Sequence, residues 1–483
     1  MIITQEMLNN LIPVFPALGL IAAGCILLAI GLFQAPSPQA ANESHGHGWA
    51  WGSLAVLLVI WGSWLFSSTQ VEYASSLFRT DLLSRSGTHL ALLAGCLITA
   101  LTINKAPSRH ACEFHSCLLF LIAGLALVTA SSNLTSLYLS LELISIPTVL
   151  LLSISRRDNA GREATLKYFA LSAFSSAIFL MGASYLFGLA GTTSIDGLVR
   201  AIGANSSTMA YIGFVLVIAG LAFRVTAVPF HFYASDVFSG SSLPMAAMLS
   251  TIPKIAGFVA MIKLLGGPTL NAALVPVALT TLILLALATM TLGNCLALVQ
   301  SQCRKLLAYS SIAHSGYIML GLAALLVQGA SSRAVLVYLA AYVIMTIGFF
   351  AGISTLRART DQDVELNDLN GLTSTNLWLG ISLSICVLSL IGIPITAGFW
   401  AKFEIFRGLL TPGDRLLLFA AVFMAINAAI GAIYYVDILI RLNSSTTAWK
   451  NVSLTTLTDK PAIVTCVFCA CMTLVWFIVP TWM

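Results

Sequence analysis

The chain has 483 residues, of which 58% are hydrophobic and only 8% are charged, and its mean hydropathy is +0.94. Soluble globular domains carry roughly 25% charged residues, so this composition excludes a soluble protein and predicts a polytopic protein of the lipid bilayer. The net charge of +5 is explained by basic loops at one membrane face and gives no reason to expect a nucleic-acid partner.

Apolar runs recur along the whole chain. An α-helix needs about 17 to 25 apolar residues to cross a bilayer, whereas a barrel strand needs only about 9 to 11. The runs therefore predict an all-α membrane protein with about fourteen transmembrane helices. In chain order, the predicted spans are residues 11–33, 51–67, 88–104, 114–131, 134–154, 165–190, 209–232, 243–265, 271–298, 306–327, 331–355, 375–410, 413–440 and 462–481.

Lysine and arginine residues are unequally distributed between the two sets of loops. Cytoplasmic loops of membrane proteins carry the excess of basic residues, and here the richer set faces inside if the N-terminus lies outside. The sequence thus predicts a multi-pass protein of the cytoplasmic (inner) membrane with both termini on the outer, periplasmic face. The predicted inside residues are Lys105, Arg109, Arg156, Arg157, Arg162, Lys167, Arg304, Lys305, Arg357, Arg359, Arg441, Lys450 and Lys460.

Three basic residues, Arg224, Lys254 and Lys402, belong to neither set of loops or span ends and lie within predicted spans. The outside set of loops or span ends holds Arg79, Arg85, Arg200, Lys263, Arg333, Arg407 and Arg415. A charge at the bilayer centre costs at least ~2.5 kcal/mol on insertion scales, so such residues usually face the protein interior, have partners and mark a function. The acidic residue Glu142 lies near the middle of another span, and we expect Glu142 and Arg224 to be in direct or one-water contact. An inert salt bridge is the alternative for this pair, and snorkelling to the interface is the alternative for Lys402.

Two prolines, Pro229 and Pro394, interrupt predicted spans close to buried cations. Proline removes a backbone donor and frees a carbonyl in the preceding turn, which a membrane tolerates only where other groups or water satisfy the backbone. The two interrupted spans occupy matching places in two stretches of about five spans each, a pattern typical of transporters with internal repeats. We therefore expect non-helical backbone and a polar pocket at each proline.

Titratable side chains accompany these positions. His314 lies in "LLAYSSIAHSGYIMLGL", a span rich in hydroxyl groups, where an imidazole that titrates near neutral pH is either a proton relay or a structural histidine. His231 follows the first interruption and has the same two explanations, while Asp236 is expected at the aqueous end of that span. Glu404, near Lys402 on a different helix face, is expected to contact another helix or to line the same cavity.

Four stretches carry a resemblance to a known family. They are "EATLKYFALSAFSSAIFLMGASYLFG" from residue 163, "FRVTAVPFHFYASDVF" from 223, "LALVQSQCRKLLAYSSIAHSGYIMLG" from 296 and "LIGIPITAGFWAKFEIF" from 390. Together they resemble the antiporter-like membrane subunits of proton-pumping NADH-quinone oxidoreductase, respiratory complex I, and the first stretch favours subunit N. The resemblance extends over nearly the whole chain from about residue 80.

This resemblance implies a single integral membrane domain of fourteen helices with two inverted five-helix repeats. Protons would move along a central polar axis while NADH and quinone chemistry proceeds in the peripheral redox arm, which other membrane subunits connect to this one. By position, Glu142, Lys254 and Lys402 match the family's glutamate on the fifth helix and its lysines on the eighth and twelfth helices. The implied segments are N-terminal helices in 1–104, a first repeat in 114–265, a second repeat in 271–440 and a last helix in 462–481.

The seventh helix departs from the family pattern, because Arg224 stands where the family usually has lysine. Burial lets a lysine release its proton, whereas a guanidinium stays protonated. Either protons pass through Lys254, His314 and Lys402 without a titrating base on the seventh helix, or this subunit has an inactive channel and serves assembly. A free-standing cation/proton antiporter is a further alternative, since it would use the same intramembrane residues.

No redox cofactor, nucleotide or metal is expected in this chain. The sequence has no G-x-G-x-x-G after a strand, no P-loop and no iron–sulfur cysteine set. The stretch "RHACEFHSC", with His110, Cys112, His115 and Cys117, resembles a metal site, but it enters a span and matches none of the usual zinc spacings.

Overall fold

The computed structural model describes residues 11–33, 44–66, 75–107, 110–204, 208–266, 274–328, 332–356, 364–411, 413–444 and 459–478. Within these ranges the regular secondary structure is helical, and extended backbone pairs only at isolated bridges such as Phe78 with Ser131. The all-α prediction is confirmed for this part of the chain.

The described residues form eighteen α-helices and two short 3₁₀ turns. Short 3₁₀ turns lie at Ile12–Val14 and Leu366–Leu369. The α-helices are α1 (Phe15–Phe33), α2 (Ser44–Phe66), α3 (Leu82–Thr102), α4 (Ala111–Ala130), α5 (Leu134–Ser155), α6 (Asn159–Ala190), α7 (Ile195–Ala204), α8 (Thr208–Arg224), α9 (Ala234–Gly240), α10 (Leu243–Leu265), α11 (Leu274–Leu298), α12 (Cys303–Gln328), α13 (Arg333–Ser354), α14 (Leu372–Thr375), α15 (Leu377–Ile391), α16 (Ala397–Leu410), α17 (Arg415–Leu442) and α18 (Lys460–Ile478).

Many of these helices have the length and composition of membrane spans. Among the described residues, 11 helices are long and apolar enough to cross a bilayer. Three shorter apolar stretches, Thr208–Arg224, Leu377–Ile391 and Lys460–Trp476, accompany them. The chain is therefore a polytopic membrane protein, as the composition predicted, while a total of about fourteen spans stays a prediction.

Both expected interruptions are present. Helix α8 ends at Arg224 and α9 begins only at Ala234, and α15 ends at Ile391 before α16 begins at Ala397. Each break also contains a β-branched residue in the left-handed region, Thr226 with φ 55° in the first and Ile395 with φ 81° in the second. Such residues rarely adopt this backbone, at a cost of order 1 to 3 kcal/mol each, so the surrounding structure must hold both breaks in place.

The predicted boundaries need two corrections. The predicted span 209–232 is helical only to Arg224, because the interruption occupies the rest of it. Asp236 lies in the next helix, α9, rather than at the end of a single continuous span. Helix α3 begins at Leu82, several residues before the predicted span 88–104, because the Asp81 side chain accepts a hydrogen bond from the Ser84 N–H at 2.6 Å. Polar caps of this kind lie outside any apolar run and escape a hydropathy criterion.

The chain divides into two compact units. One unit comprises Met1–Arg224 with Ile252–Val277, and it contains Glu142, Arg224 and Lys254. The second unit comprises Val225–Thr251 with Ala278–Met483, and it contains the other predicted site residues, His231, His314, Lys402 and Glu404. The site is therefore described for each unit separately.

Candidate functional site

The predicted contact between Glu142 on α5 and Arg224 at the end of α8 is confirmed. The Arg224 Nη2 donates a hydrogen bond to the Glu142 Oε1 at 3.3 Å. The Arg224 side chain is only 5% exposed and the Glu142 side chain is 25% exposed. The cation is thus buried, whereas its carboxylate partner keeps an accessible side.

Arg224 binds more of α5 than the carboxylate. Its Nη1 donates to the Ser145 Oγ at 2.7 Å and to the Leu141 carbonyl oxygen at 3.2 Å. A guanidinium offers five donors in a rigid planar fork, which matches acceptors spread over one helical turn. The arginine is consequently held in one orientation by three residues of α5.

Two consecutive serines on α6 complete this arrangement. The Ser176 Oγ donates to the Glu142 Oε1, and the Ser175 Oγ donates to the Gly220 carbonyl oxygen of α8 at 2.6 Å. A Cβ at Gly220 would lie 2.7 Å from the Phe179 Cβ, so the approach of α6 to α8 requires glycine there. Helix α6 therefore positions both the arginine-bearing helix and the glutamate.

Lys254 occupies a different kind of position in the same unit. It lies on α10, whose most apolar stretch is entirely buried, and the residue itself is 1% exposed. Pro253 precedes it without interrupting the helix. A lysine so completely removed from water is stable only with polar partners or in its neutral form, which is the property that reversible proton binding requires.

Lys402 lies at the second break. Its Nζ donates to the carbonyl oxygens of Leu390 and Ile391, at 3.0 Å and 2.7 Å. These carbonyls belong to the last turn of α15. They have no N–H donors within the helix, because the chain turns away at Gly392, where φ is 85°. The ammonium group is therefore bound to the opened backbone, in contrast to a lysine that snorkels to the membrane interface.

His314 on α12 is buried between two tyrosine hydroxyls. Its Nδ1 lies 2.8 Å from the Tyr338 Oη, and its Nε2 lies 3.3 Å from the Tyr435 Oη. The Tyr435 hydroxyl also forms a hydrogen bond with the Ser310 Oγ. Because a neutral imidazole has one donor and one acceptor nitrogen, a proton gained at one nitrogen can be released from the other.

Tyr317 lies between His314 and Lys402. Its ring centroid is 5.4 Å from the Lys402 Nζ and 5.8 Å from the His314 ring centroid, which it meets edge-on. The Tyr317 Oη accepts a hydrogen bond from the Asn294 Nδ2 at 2.9 Å, and the Tyr434 Oη donates to the Asn294 Oδ1 at 3.1 Å. The structure thus brings the predicted histidine and lysine against the same tyrosine ring, whose hydroxyl belongs to a hydrogen-bonded group of polar side chains.

The two accessory residues, His231 and Glu404, have contacts of another kind. His231 is half-buried in the break between α8 and α9, where its carbonyl oxygen accepts from the Ala234 N–H. Glu404 forms an ion pair with Arg407, at 2.7 Å, on its own helix. This partner is within reach because it lies three residues along the same helix, and the expectation that Glu404 contacts another helix or lines the same cavity as Lys402 stays a prediction.

Comparison with known proteins gives the family. The family model described as "NADH:quinone oxidoreductase/Mrp antiporter, TM" matches residues 131–427. A Rhodospirillum rubrum protein named NADH-quinone oxidoreductase subunit N is 34% identical over 432 residues, which cover 88% of this chain and 86% of that protein. The chain belongs to this NADH:quinone oxidoreductase/Mrp antiporter family. The resemblance to subunit N is thereby confirmed.

Solved structures share the fold. A chain of respiratory complex I from Thermus thermophilus with bound aureothin matches with a TM-score of 0.79 and 27% identity, covering 97% of this chain and 98% of that one. A chain of the Mrp complex from Dietzia sp. matches with a TM-score of 0.82 at 18% identity. The second likeness, at this identity, shows the fold alone.

Several polar residues around His314 and Tyr317 were not among the site residues predicted from the sequence. They are Asn294, Tyr338 and Tyr435, whose polar side chains are buried inside apolar helices. The one feature of the sequence that could have indicated them is a polar residue within an apolar run. Two basic residues assigned to loops or span ends, Lys263 and Arg304, are also buried. Arg304 donates a hydrogen bond to the Ser241 carbonyl oxygen, which explains how an arginine at the start of α12 is accommodated.

The residues that resemble a metal site have other contacts. The Cys112 thiol donates to the Leu27 carbonyl oxygen at 2.9 Å, and the His110 Nδ1 lies 3.4 Å from the Glu113 Oε1. Within the described ranges, no group of three or more His, Cys, Asp or Glu side chains is placed to hold a metal ion.

Proposed function

We propose that this chain is a proton-translocating membrane subunit of a multi-subunit NADH-quinone oxidoreductase, with the redox chemistry in other subunits. The observation that carries the proposal is the arrangement of His314, Tyr317 and Lys402, because it places a titratable ammonium group at a helix break and an imidazole against the same tyrosine ring. The names of the relatives support the enzyme complex. In this proposal the chain itself binds no redox cofactor.

The network around His314 supplies the parts of a proton relay. The two imidazole nitrogens contact different tyrosine hydroxyls, so a proton enters at one nitrogen while another leaves at the opposite one. Hydroxyl groups donate and accept, and a rotation about the C–O bond resets each of them. Lys402 stores the proton as an ammonium group stabilised by the carbonyls of α15.

The Glu142 and Arg224 pair has a different role in the proposal. Arg224 cannot release its proton, so it acts as a fixed positive charge beside the Glu142 carboxylate. Proton storage in that unit then falls to Lys254, which is fully buried. Moving one proton against 100 mV requires ~2.3 kcal/mol, which is comparable in size to the loss of one hydrogen bond to a charged group, about 1.5 to 3 kcal/mol.

The proposal includes the architecture and orientation that the sequence predicts. It has fourteen transmembrane helices with inverted repeats in 114–265 and 271–440, and both termini outside the cytoplasmic membrane. The two helix breaks, each with a β-branched residue at positive φ, support the repeats. The basic loops support the orientation, and the family supports contacts with other membrane subunits and, through them, with the redox arm.

Arg224 itself favours a second candidate function, a structural or assembly subunit with an inactive channel. Its side chain is held by three residues of α5, which is also what a purely structural cation needs. The two candidates differ in one respect, since only the translocating subunit requires Lys254 and Lys402 to titrate.

Purification of the tagged full-length chain from its native membranes tests the proposal. We expect it to copurify with NADH oxidation and quinone reduction, and inverted vesicles that contain the complex should take up protons on addition of NADH. A chain that purifies without partners and exchanges cations for protons in liposomes would support the free-standing antiporter instead.

A further inference from the structure

A pocket opens between the end of α5 and the beginning of α6, away from the buried site residues. Its cavity has a volume of about 430 Å³. The wall from α5 and its C-cap consists of Val149, Ser153 and Arg156, and the wall from α6 consists of Arg162, Thr165, Leu166 and Phe169. Each set has the spacing of one helix face, so the pocket is a groove between two antiparallel helical faces.

The groove is basic at one end and apolar at the other. Arg156 and Arg162 flank the short loop that joins the two helices, whereas Val149 and Phe169 each lie seven residues farther from that loop. At 1.5 Å per residue this separation is about 10 Å along each helix. In the predicted orientation the basic end lies at the cytoplasmic surface and the apolar end lies in the hydrocarbon layer.

The positive charge at the basic end is only partly neutralised. The Asp158 carboxylate accepts hydrogen bonds from the Nε and Nη2 of Arg156 at 2.9 Å and 2.7 Å. This guanidinium contact lowers the pKa of Asp158 below its usual value, which keeps the pair intact at neutral pH. Arg162 forms no ion pair with any residue in the part of the chain that the structure describes, so its guanidinium is available to a ligand.

The apolar end exposes large side chains. Leu166 is 67% exposed and Phe169 is 55% exposed. Apolar surface of this kind is stable against hydrocarbon rather than against water. A ligand that satisfies the whole groove therefore has an anionic group for Arg162 and Arg156 and a hydrocarbon chain for Leu166 and Phe169.

We infer that this groove binds an anionic phospholipid. The phosphate pairs with the Arg162 guanidinium, which matches phosphate oxygens with two parallel donors, and one acyl chain packs on Leu166 and Phe169. Basic pockets between transmembrane helices at the cytoplasmic side commonly hold anionic lipid head groups. Free phosphate shares the head-group chemistry but leaves the apolar half uncovered, and for this reason the lipid is the proposed ligand.

The test uses the intact complex in nanodiscs that contain a photoreactive phosphatidylglycerol with a diazirine in one acyl chain. After illumination, mass spectrometry locates labelled peptides. We expect labelling between residues 146 and 169 in the unmodified protein, and at least a fivefold decrease in Arg162→Gln. The matched control is Arg157→Gln, which removes the same charge from an exposed neighbour that does not line the groove, and it should label like the unmodified protein.

Three results would overturn the inference. The first is equal labelling by a photoreactive phosphatidylcholine, since a neutral lipid does not need the arginines. The second is unchanged labelling in Arg162→Gln, and the third is the absence of any lipid label on this segment, which would mean that another subunit covers it. In addition to these three, loss of labelling on addition of inorganic phosphate at millimolar concentration would overturn the lipid assignment in favour of a free-anion site. Because the readout is labelling, it is independent of proton translocation.

Discussion

The Arg224 guanidinium binds the Glu142 carboxylate at 3.3 Å and, with its other terminal nitrogen, the helical turn that carries this glutamate. The arginine is thus both a counter-charge and a link between α8 and α5. A lysine at the same position would supply the charge from a single nitrogen but would not span the acceptors of a whole turn. The two functions can therefore be separated by substitution.

Arg224→Lys is expected to retain most redox-coupled proton pumping, because the positive charge beside Glu142 persists. Arg224→Met is expected to destabilise the protein by about 2 kcal/mol, which is less than the ~3 to 5 kcal/mol for a fully buried pair because the Glu142 side chain is 25% exposed. Proton uptake by vesicles and the temperature at which the assembled complex loses activity measure the two effects. Equal loss of pumping in both variants would contradict the counter-charge role.

Lys402→Arg separates helix capping from proton transfer at the second break. An arginine still donates to the carbonyls at the end of α15 but does not release its proton, so the complex should assemble while pumping falls strongly. Lys402→Met should lose the capping contacts as well and should assemble less well. Full pumping in an assembled Lys402→Arg complex would show that Lys402 is a structural residue only.

Tyr435→Phe is expected to reduce pumping with little effect on assembly, because it removes the hydroxyl that contacts the His314 Nε2. The matched control is Tyr342→Phe, since Tyr342 packs on the same imidazole through its ring, with centroids 5.2 Å apart. The ratio of protons taken up to NADH oxidised should fall in the first variant and stay near the unmodified value in the second. A similar ratio in both variants would argue against a relay through His314.

The sequence was sufficient to predict which charged residues lie within the spans and where the helices are interrupted near Pro229 and Pro394. A charge in an apolar run and a proline in a predicted helix are local features, and each has one main physical explanation. The pairing of Glu142 with Arg224 was also accessible, because a buried cation needs a counter-charge and few acidic residues lie in spans. These predictions required no knowledge of how the helices pack.

The network around His314 was not predictable in the same way. Tyr338 and Tyr435 lie far from His314 in the chain, and their contacts depend on how α12, α13 and α17 pack. The capping of α15 by Lys402 depends on the backbone path after Gly392, which no residue pattern specifies in detail. The sequence shows which polar residues lie in apolar helices. Only the structure shows which of these residues contact one another over long distances in the chain.

The most direct test of the central claim is a variant in which Lys254 and Lys402 are both replaced by methionine. The measurement is the number of protons taken up per NADH oxidised by vesicles that contain the assembled complex. The account predicts a strong decrease in this ratio, with NADH oxidation driven by the redox arm still present. Lys460→Met, at an exposed lysine at the start of α18, is the matched control and should leave the ratio unchanged. An unchanged ratio in an assembled Lys254→Met, Lys402→Met variant would contradict proton translocation by this subunit and would favour the structural function.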